Sequence, residues 1–95
     1  MAELDRHLQA PARLKLMTML TAVTEVEFAV LRDGLEVSDS VLSKHIATLA
    51  DAGYVRSRKG SYEGRRTTWL ALSPAGRKAL HNHVAALRAI IDGVD

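Results

Sequence analysis

The sequence predicts a mainly α fold with one β-hairpin, an α+β arrangement. Three observations support this prediction: several segments repeat apolar residues at helical spacing, one segment alternates apolar and polar residues, and the chain has only 95 residues. A chain of this length supports one domain rather than two. We therefore predict a single domain over residues 1–95.

Two helices are expected before residue 24. Residues 4–8 could form a short helix, and Pro11 fits the first turn of a second helix that runs over residues 11–23. Residues 24–27 (Thr-Glu-Val-Glu) match a capping box, so the next helix is expected to begin there and to end near Gly34.

The next helix, over residues 38–52, completes a helix-turn-helix pattern. Ser38 is a favourable N-cap, and apolar residues follow at i, i+4 and i+7 from Leu42. Gly53 stands where a left-handed C-terminal cap is needed. Two helices joined by a short turn are typical of this motif.

The periodicity then changes from helical to alternating. Residues 54–58 and 67–72 read as strands, with a glycine-bounded hairpin loop over residues 60–64 between them. Ser73 and Pro74 then fit the N-cap and the first position of a last helix over residues 74–95. A hairpin directly after a helix-turn-helix predicts a winged helix-turn-helix over residues 11–72.

The last helix carries a heptad-like apolar seam that a domain this small cannot fully cover. We expect part of the seam to pack on the core and part on a second copy of the chain, so that residues 1–10 and 74–95 form dimerisation helices. A last helix that folds back entirely on its own domain is the alternative. The predicted interface residues are Leu4, Leu8, Leu80, Val84, Leu87 and Ile91.

Composition excludes several classes of function. The chain has no cysteine, which removes disulfides, thiolate chemistry and Cys-ligated zinc. We see no nucleophile–base pair, metal cluster or phosphate loop, so we predict no enzyme, no cofactor and no metal site. His7, His81 and His83 are expected at the surface or an interface. Without an apolar run of membrane length, a cytoplasmic location is expected.

Positive charge is concentrated in one segment. The net charge is +2, but residues 54–72 alone carry five basic groups and one acidic group. A solvated face is the simple interpretation. Here, however, the charge falls on the predicted wing, where such folds meet DNA.

Two segments resemble a known family. Residues 37–55 (VSDSVLSKHIATLADAGYV) resemble the recognition-helix signature of MarR-type and ArsR-type winged-helix regulators, and residues 70–77 (LALSPAGR) resemble the start of the C-terminal helix in MarR-like proteins. The resemblance covers roughly residues 11–90. It implies a homodimeric DNA-binding transcriptional regulator. Related proteins often bind a small molecule, so an effector of unknown identity is possible.

The predicted DNA contacts lie on the recognition helix 38–52, which would enter the major groove, and on the basic wing 56–67, which would meet the backbone or minor groove. They are Ser38, Ser40, Ser43, Lys44, Thr48, Lys59, Arg65 and Arg66. Ser38 could equally serve only as a helix cap. Glu63-Gly64-Arg65 resembles the Asp-x-Arg wing motif of MarR-like proteins, which implies that the acid pairs with the arginines.

For two residues of the recognition helix, the sequence is compatible with two different roles. His45 is expected to be partly buried, with a DNA contact as the alternative. Asp39 either provides a second cap or accepts a hydrogen bond from a cytosine amine. Arg56 and Arg58 are expected to face solvent or phosphate from the flank.

The predicted function is therefore a sequence-specific DNA-binding transcriptional regulator, a repressor, acting as a homodimer. Two-fold symmetry predicts a pseudo-palindromic operator in double-stranded DNA. The alternative is a winged-helix module for protein–protein interaction that binds an acidic partner through its wing.

Overall fold

The computed structural model describes residues 3–94, which form four α-helices and one three-stranded antiparallel sheet. In chain order these are a short 3-10 helix (Arg6–Leu8), α1 (Pro11–Thr21), β1 (Val26–Glu27), α2 (Phe28–Leu35), α3 (Asp39–Asp51), β2 (Val55–Tyr62), β3 (Arg65–Leu72) and α4 (Pro74–Asp92). The predicted α+β winged helix-turn-helix is confirmed. The predicted domain limits include residues 1, 2 and 95, which lie outside the described residues.

One apolar core joins the helices to the base of the sheet. Its buried side chains are mainly leucines, one or more from each element except β1: Leu8, Leu16, Met17, Leu20, Leu31, Leu42, Leu49, Val55, Leu70 and Leu80. Burying one leucine contributes about 1.5–3 kcal/mol, so this cluster supplies the main favourable term in folding. The core fixes α3 on α1 while leaving the opposite face of α3 in solvent.

The predicted capping box at residues 24–27 is wrong. Residues Val26 and Glu27 form β1 instead, paired with Leu70 and Trp69 of β3, and Glu27 is the N-cap of α2 without a side-chain cap. A strand of two residues is too short to show alternation in the sequence. The helix also continues past Gly34, and Glu36 takes the left-handed conformation at its end, with φ of +55°.

The hairpin is longer than predicted, and its turn is tighter. Only Glu63 and Gly64 lie between the strands, with φ of +52° and +77°. Positive φ at both central residues is the type I′ turn that matches the twist of a two-residue hairpin. Gly60, predicted in the loop, lies in β2, where an added Cβ would come within 3.0 Å of the Trp69 ring.

The apolar seam of α4 divides between core and solvent, as predicted, but two interface residues are wrong. Leu80 is 4% exposed and belongs to the core, and Leu8 is completely buried because the 3-10 helix folds it against the same core. Neither side chain is exposed enough to contact a second copy of the chain. Beyond Leu87 the seam is uncovered, and Ile91 is 64% exposed.

A polar network ties the N-terminal segment to the domain. The Asp5 backbone N–H donates to His83 Nδ1 at 2.8 Å, and the Tyr54 hydroxyl donates to the Asp5 carboxylate. His7 Nδ1 lies 3.0 Å from the same carboxylate. His83 is 2% exposed, so the surface or interface position predicted for it is wrong. His83 accepts this bond only as a neutral imidazole with Nδ1 unprotonated.

The network displaces two pKa values. Burial raises the pKa of Asp5, but hydrogen bonds from Tyr54 and from the His7 backbone outweigh it and lower the pKa below its ordinary value. The hydrogen bond to Asp5, with burial, raises the pKa of Tyr54 to about 12. The hydroxyl proton of Tyr54 is therefore part of the native structure.

We expect the free energy of unfolding to fall more steeply from pH 10 to 12 in the wild type than in Tyr54→Phe. An unfolded tyrosine ionises near pH 10, while Tyr54 in the native state holds its proton to about pH 12. The stabilisation is present below pH 10 and is lost as the pH rises. Urea unfolding at several pH values measures it. Tyr62→Phe is the control, and equal slopes in all three proteins would contradict the prediction.

Candidate nucleic-acid interface

The N-terminal turn of α3 presents polar side chains to solvent. Ser38 is the N-cap, and its Oγ accepts the backbone N–H of Val41 at 3.2 Å. Ser40, Ser43 and Lys44 are exposed. The Ser38 cap is confirmed, and Ser40 Oγ lies 3.3 Å from Ser38 Oγ. The positive end of the helix dipole and these hydroxyls together suit a phosphate or base edge.

Thr48 is less available for a DNA contact than the other predicted residues of α3. Its hydroxyl donates to the backbone oxygen of Lys44 at 3.1 Å, and its side chain is half-buried. The hydroxyl proton is consequently engaged within the helix, a common arrangement for threonine in helices.

Asp39 pairs with an arginine of α2, and its predicted hydrogen bond from a cytosine amine stays a prediction. Its carboxylate accepts from Arg32 Nη1 at 3.1 Å, while Arg32 Nε donates to Asp33 at 3.0 Å. These two acids raise the pKa of Arg32. The pair places a cation from α2 beside the acid at the start of α3, which reduces the repulsion between Asp39 and an approaching phosphate.

His45 is half-buried, as predicted, and its ring contacts an arginine of α1. Its Nδ1 lies 3.4 Å from Arg13 Nη1, and Arg13 Nε also donates to the backbone oxygen of His7 at 2.6 Å. Burial, together with the charge of Arg13, lowers the pKa of His45. Because a guanidinium only donates hydrogen bonds, His45 Nδ1 is the acceptor in this contact, which links α3 to α1.

The two arginines of the wing lie on opposite faces of the hairpin. Arg66 pairs across the strands with Ser61, and Arg65 pairs with Tyr62. Because successive side chains in a strand alternate, Arg66 shares its face with Lys59 and Arg65 shares the other with Arg58. A hairpin with a cation on each face can contact both walls of a nucleic-acid groove.

The predicted wing cations have no acidic partner in the described part of the chain. Within residues 3–94 the ion pairs involve His7, Arg32 and Arg58, and none involves Lys59, Arg65 or Arg66. Lys59 Nζ donates to Thr68 Oγ1 at 3.1 Å. The pairing of Glu63 with the arginines, implied by the motif, is absent from this set. Glu63 instead occupies the left-handed turn.

Arg58 is exposed, as predicted, but it also holds the wing in place through a partner outside the hairpin. Its guanidinium makes a two-pronged hydrogen bond with Glu25 and lies 5.5 Å from the centre of the Trp69 ring. The hydrogen bond from Arg58 lowers the pKa of Glu25. Bidentate arginine pairs are the strong, oriented kind, so Arg58 braces the hairpin against the segment before β1. Arg56 is exposed, as predicted.

A groove of about 390 Å³ joins the recognition helix to the wing. Its walls come from the start of α2, from α3 and from the part of β3 that has no β1 residue paired with it. The lining residues that matter here are Asp39, Ser43, Arg65 and Arg66. A second groove of about 330 Å³ on the wing brings Lys59 beside Arg66. Predicted residues more than twenty positions apart thus share one surface.

Sequence reasoning missed three contributors to this surface. Arg32 and Glu25 act through partners that only the fold brings near, so no local signal pointed to them. Val41 is 41% exposed on α3. The unbroken apolar spacing around Leu42 could have shown that Val41 falls outside the buried stripe.

Other kinds of site find no support in the described residues. No group of three histidine or acidic side chains within residues 3–94 could hold a metal ion. In the same part of the chain, no helix has the length and hydropathy needed to cross a membrane.

Comparison with known proteins identifies the fold family. Residues 12–91 match the family described as winged helix DNA-binding domain. The chain belongs to this family. The match spans most of the chain and includes α3 and the wing, so the predicted winged helix-turn-helix is confirmed.

Individual relatives agree with this assignment. This winged helix chain is 29% identical to the uncharacterised protein MJ0432 of Methanocaldococcus jannaschii over 76% of its own length and 78% of the relative. The transcriptional regulator homologue of Pyrococcus horikoshii superposes with a TM-score of 0.89, at 26% identity, over 96% of this chain and 90% of that one. A MarR family regulator from Silicibacter pomeroyi shares the fold, with a TM-score of 0.70 and 23% identity, over 93% of this chain and 60% of its own.

Proposed function

We propose that this winged helix protein is a sequence-specific transcriptional repressor that binds double-stranded DNA as a homodimer. In this proposal α3 enters the major groove, and the hairpin lies on the backbone or in the adjacent minor groove. A protein that occupies an operator blocks other proteins from the same duplex, and repression is the mode that we propose. Its setting is the cytoplasm.

The observation that carries the proposal is the shared groove between α3 and the wing. It places the exposed hydroxyl of Ser43 beside arginines that have no acidic partner among residues 3–94. A cationic ribbon next to a polar helix face matches the chemistry of a duplex, in which phosphates give affinity and base edges give specificity.

The experiment that tests this function is an anisotropy titration with random-sequence duplex DNA at two salt concentrations. We expect binding at low salt that weakens steeply as salt rises, because bound cations release counterions from the phosphates. Lack of binding at low salt would overturn the proposal. Capture of an acidic protein by the wing would then favour an interaction module instead.

The proposed dimer uses the uncovered end of α4. Ile90, Ile91 and Val94 are 56%, 64% and 72% exposed, and Leu4 is 39% exposed. Val84 and Leu87 are half-buried and continue this line toward the core. Apolar side chains at heptad-like spacing favour helix-on-helix association, so the interface we propose is Leu4, Val84, Leu87, Ile90 and Ile91. A two-fold dimer of this kind calls for a pseudo-palindromic operator.

We expect Ile90→Glu combined with Ile91→Glu to convert a dimer into a monomer of 10.4 kDa. The two charges would have to be buried without partners in the interface, which is costly. Sedimentation equilibrium at micromolar concentrations measures the mass. Val30→Glu, at a valine 52% exposed on α2, is the matched control and should stay dimeric. A wild-type protein that sediments as a monomer would refute the proposed dimer.

A further inference from the structure

Val41 is the one large apolar side chain that α3 exposes. It is 41% exposed, although its backbone N–H is fixed by the Ser38 cap. The other exposed positions of α3 carry polar side chains or alanine: Asp39, Ser40, Ser43, Lys44, Ala47, Ala50 and Asp51. Val41 therefore interrupts an otherwise polar surface at the first turn of the helix.

The position of Val41 on the helix defines the flank on which it lies. Lys44 follows three residues later and Thr48 seven residues later, so the three share one side of α3. Ser43 lies on the other side, toward the groove shared with the wing. The Val41 flank is thus the side of the recognition helix directed away from the wing.

That flank offers few free hydrogen-bond donors. The Thr48 hydroxyl proton is engaged with the backbone oxygen of Lys44, and His45, four residues after Val41, accepts from Arg13. Apart from the Lys44 ammonium group and the Arg13 guanidinium beside His45, the flank presents mainly carbon to a ligand. A surface of this kind suits an apolar group on the ligand and disfavours one whose donors or acceptors would be left unpaired.

We propose that Val41 determines sequence specificity by packing against the C5-methyl group of a thymine in the major groove. The inference rests on the proposed function. Thymine is the one standard base that presents a methyl group in that groove, and the N-terminal residues of a recognition helix are those that reach base edges. A cytosine at the same position has hydrogen at C5 in place of the methyl group and an amino donor in place of the O4 acceptor, so it loses the apolar contact with Val41. Val41 therefore selects thymine over cytosine.

The test uses a preferred site selected from randomised duplexes, in which each thymine of one half-site is replaced in turn by deoxyuridine. This change removes only the methyl group. For the wild type we expect one position at which deoxyuridine weakens binding about fourfold, the effect of one buried methyl group. Val41→Ala, whose side chain is shorter, should lose most of this difference between thymine and deoxyuridine at that position.

Val30→Ala is the matched control, because Val30 is 52% exposed on α2 and should keep the full sensitivity to deoxyuridine. Circular dichroism and thermal melting verify that Val41→Ala folds, as expected for alanine at an exposed helical position. If no thymine is sensitive in the wild type, or if Val41→Ala keeps the wild-type sensitivity, the inference is overturned while DNA binding stands. Failure of the wild type to bind any duplex would overturn the proposed function, and this inference with it.

Discussion

Replacing both wing arginines, Arg65→Ala with Arg66→Ala, should weaken binding to every duplex by roughly thirtyfold near physiological salt. Neither side chain has an acidic partner among residues 3–94, so both charges are available to phosphates. Each lost phosphate contact also removes the release of about one counterion. The slope of log affinity against log salt should therefore become shallower by about two.

Anisotropy titrations at four or more salt concentrations measure both effects. The matched control is Arg77→Ala with Lys78→Ala, which removes the same charge from the first turns of α4, at the opposite end of β3 from the hairpin turn. Its salt slope should stay close to that of the wild type. An equal loss in both double variants would mean that net charge, rather than the wing, governs the affinity.

Gly76→Ala should destabilise the fold by about 3 kcal/mol and lower the melting temperature by more than about 10 °C. A Cβ at Gly76 would lie 2.1 Å from the backbone oxygen of Tyr54 and 2.9 Å from Leu72 Cδ1. The backbone oxygen cannot move away freely, because it accepts the Ser73 N–H at 3.0 Å. Ser73 in turn donates to the backbone oxygen of Gly53 at 2.6 Å and caps α4 through Gly76 N.

Thermal melting followed by circular dichroism measures the loss. Gly93→Ala is the control at the other end of α4, where the nearest atom to an added Cβ is 3.4 Å away and φ is −81°. It should melt within a few degrees of the wild type. A Gly76→Ala protein as stable as Gly93→Ala would show that α4 can shift from Tyr54 at little cost.

Much of the fold could be predicted because its signals are local. The cap at Ser38, the left-handed Gly53 and the Ser73-Pro74 start of α4 each depend on neighbours within a few residues. Strand β1 could not be predicted, because it exists only where Val26 and Glu27 reach the edge of β3. Likewise, nothing within a few residues of Leu8 shows that the core of its own chain buries it completely.

The candidate site divides in the same way. Exposure of Ser40, Ser43 and Lys44 follows from helical periodicity around Leu42, and the cationic wing follows from composition. The pairing of Arg58 with Glu25, 33 residues away, could not be predicted in this way. An exposed arginine on a strand has the same local sequence whether it is free or paired.

The sequence by itself therefore determined the kind of protein: an α+β winged helix with a recognition helix, a basic hairpin and an apolar last helix. Periodicity, caps and charge are properties of short segments, and they survive without tertiary context. Only the tertiary structure decided which charges are free and which leucines are interior. Those outcomes depend on contacts between residues far apart in the chain.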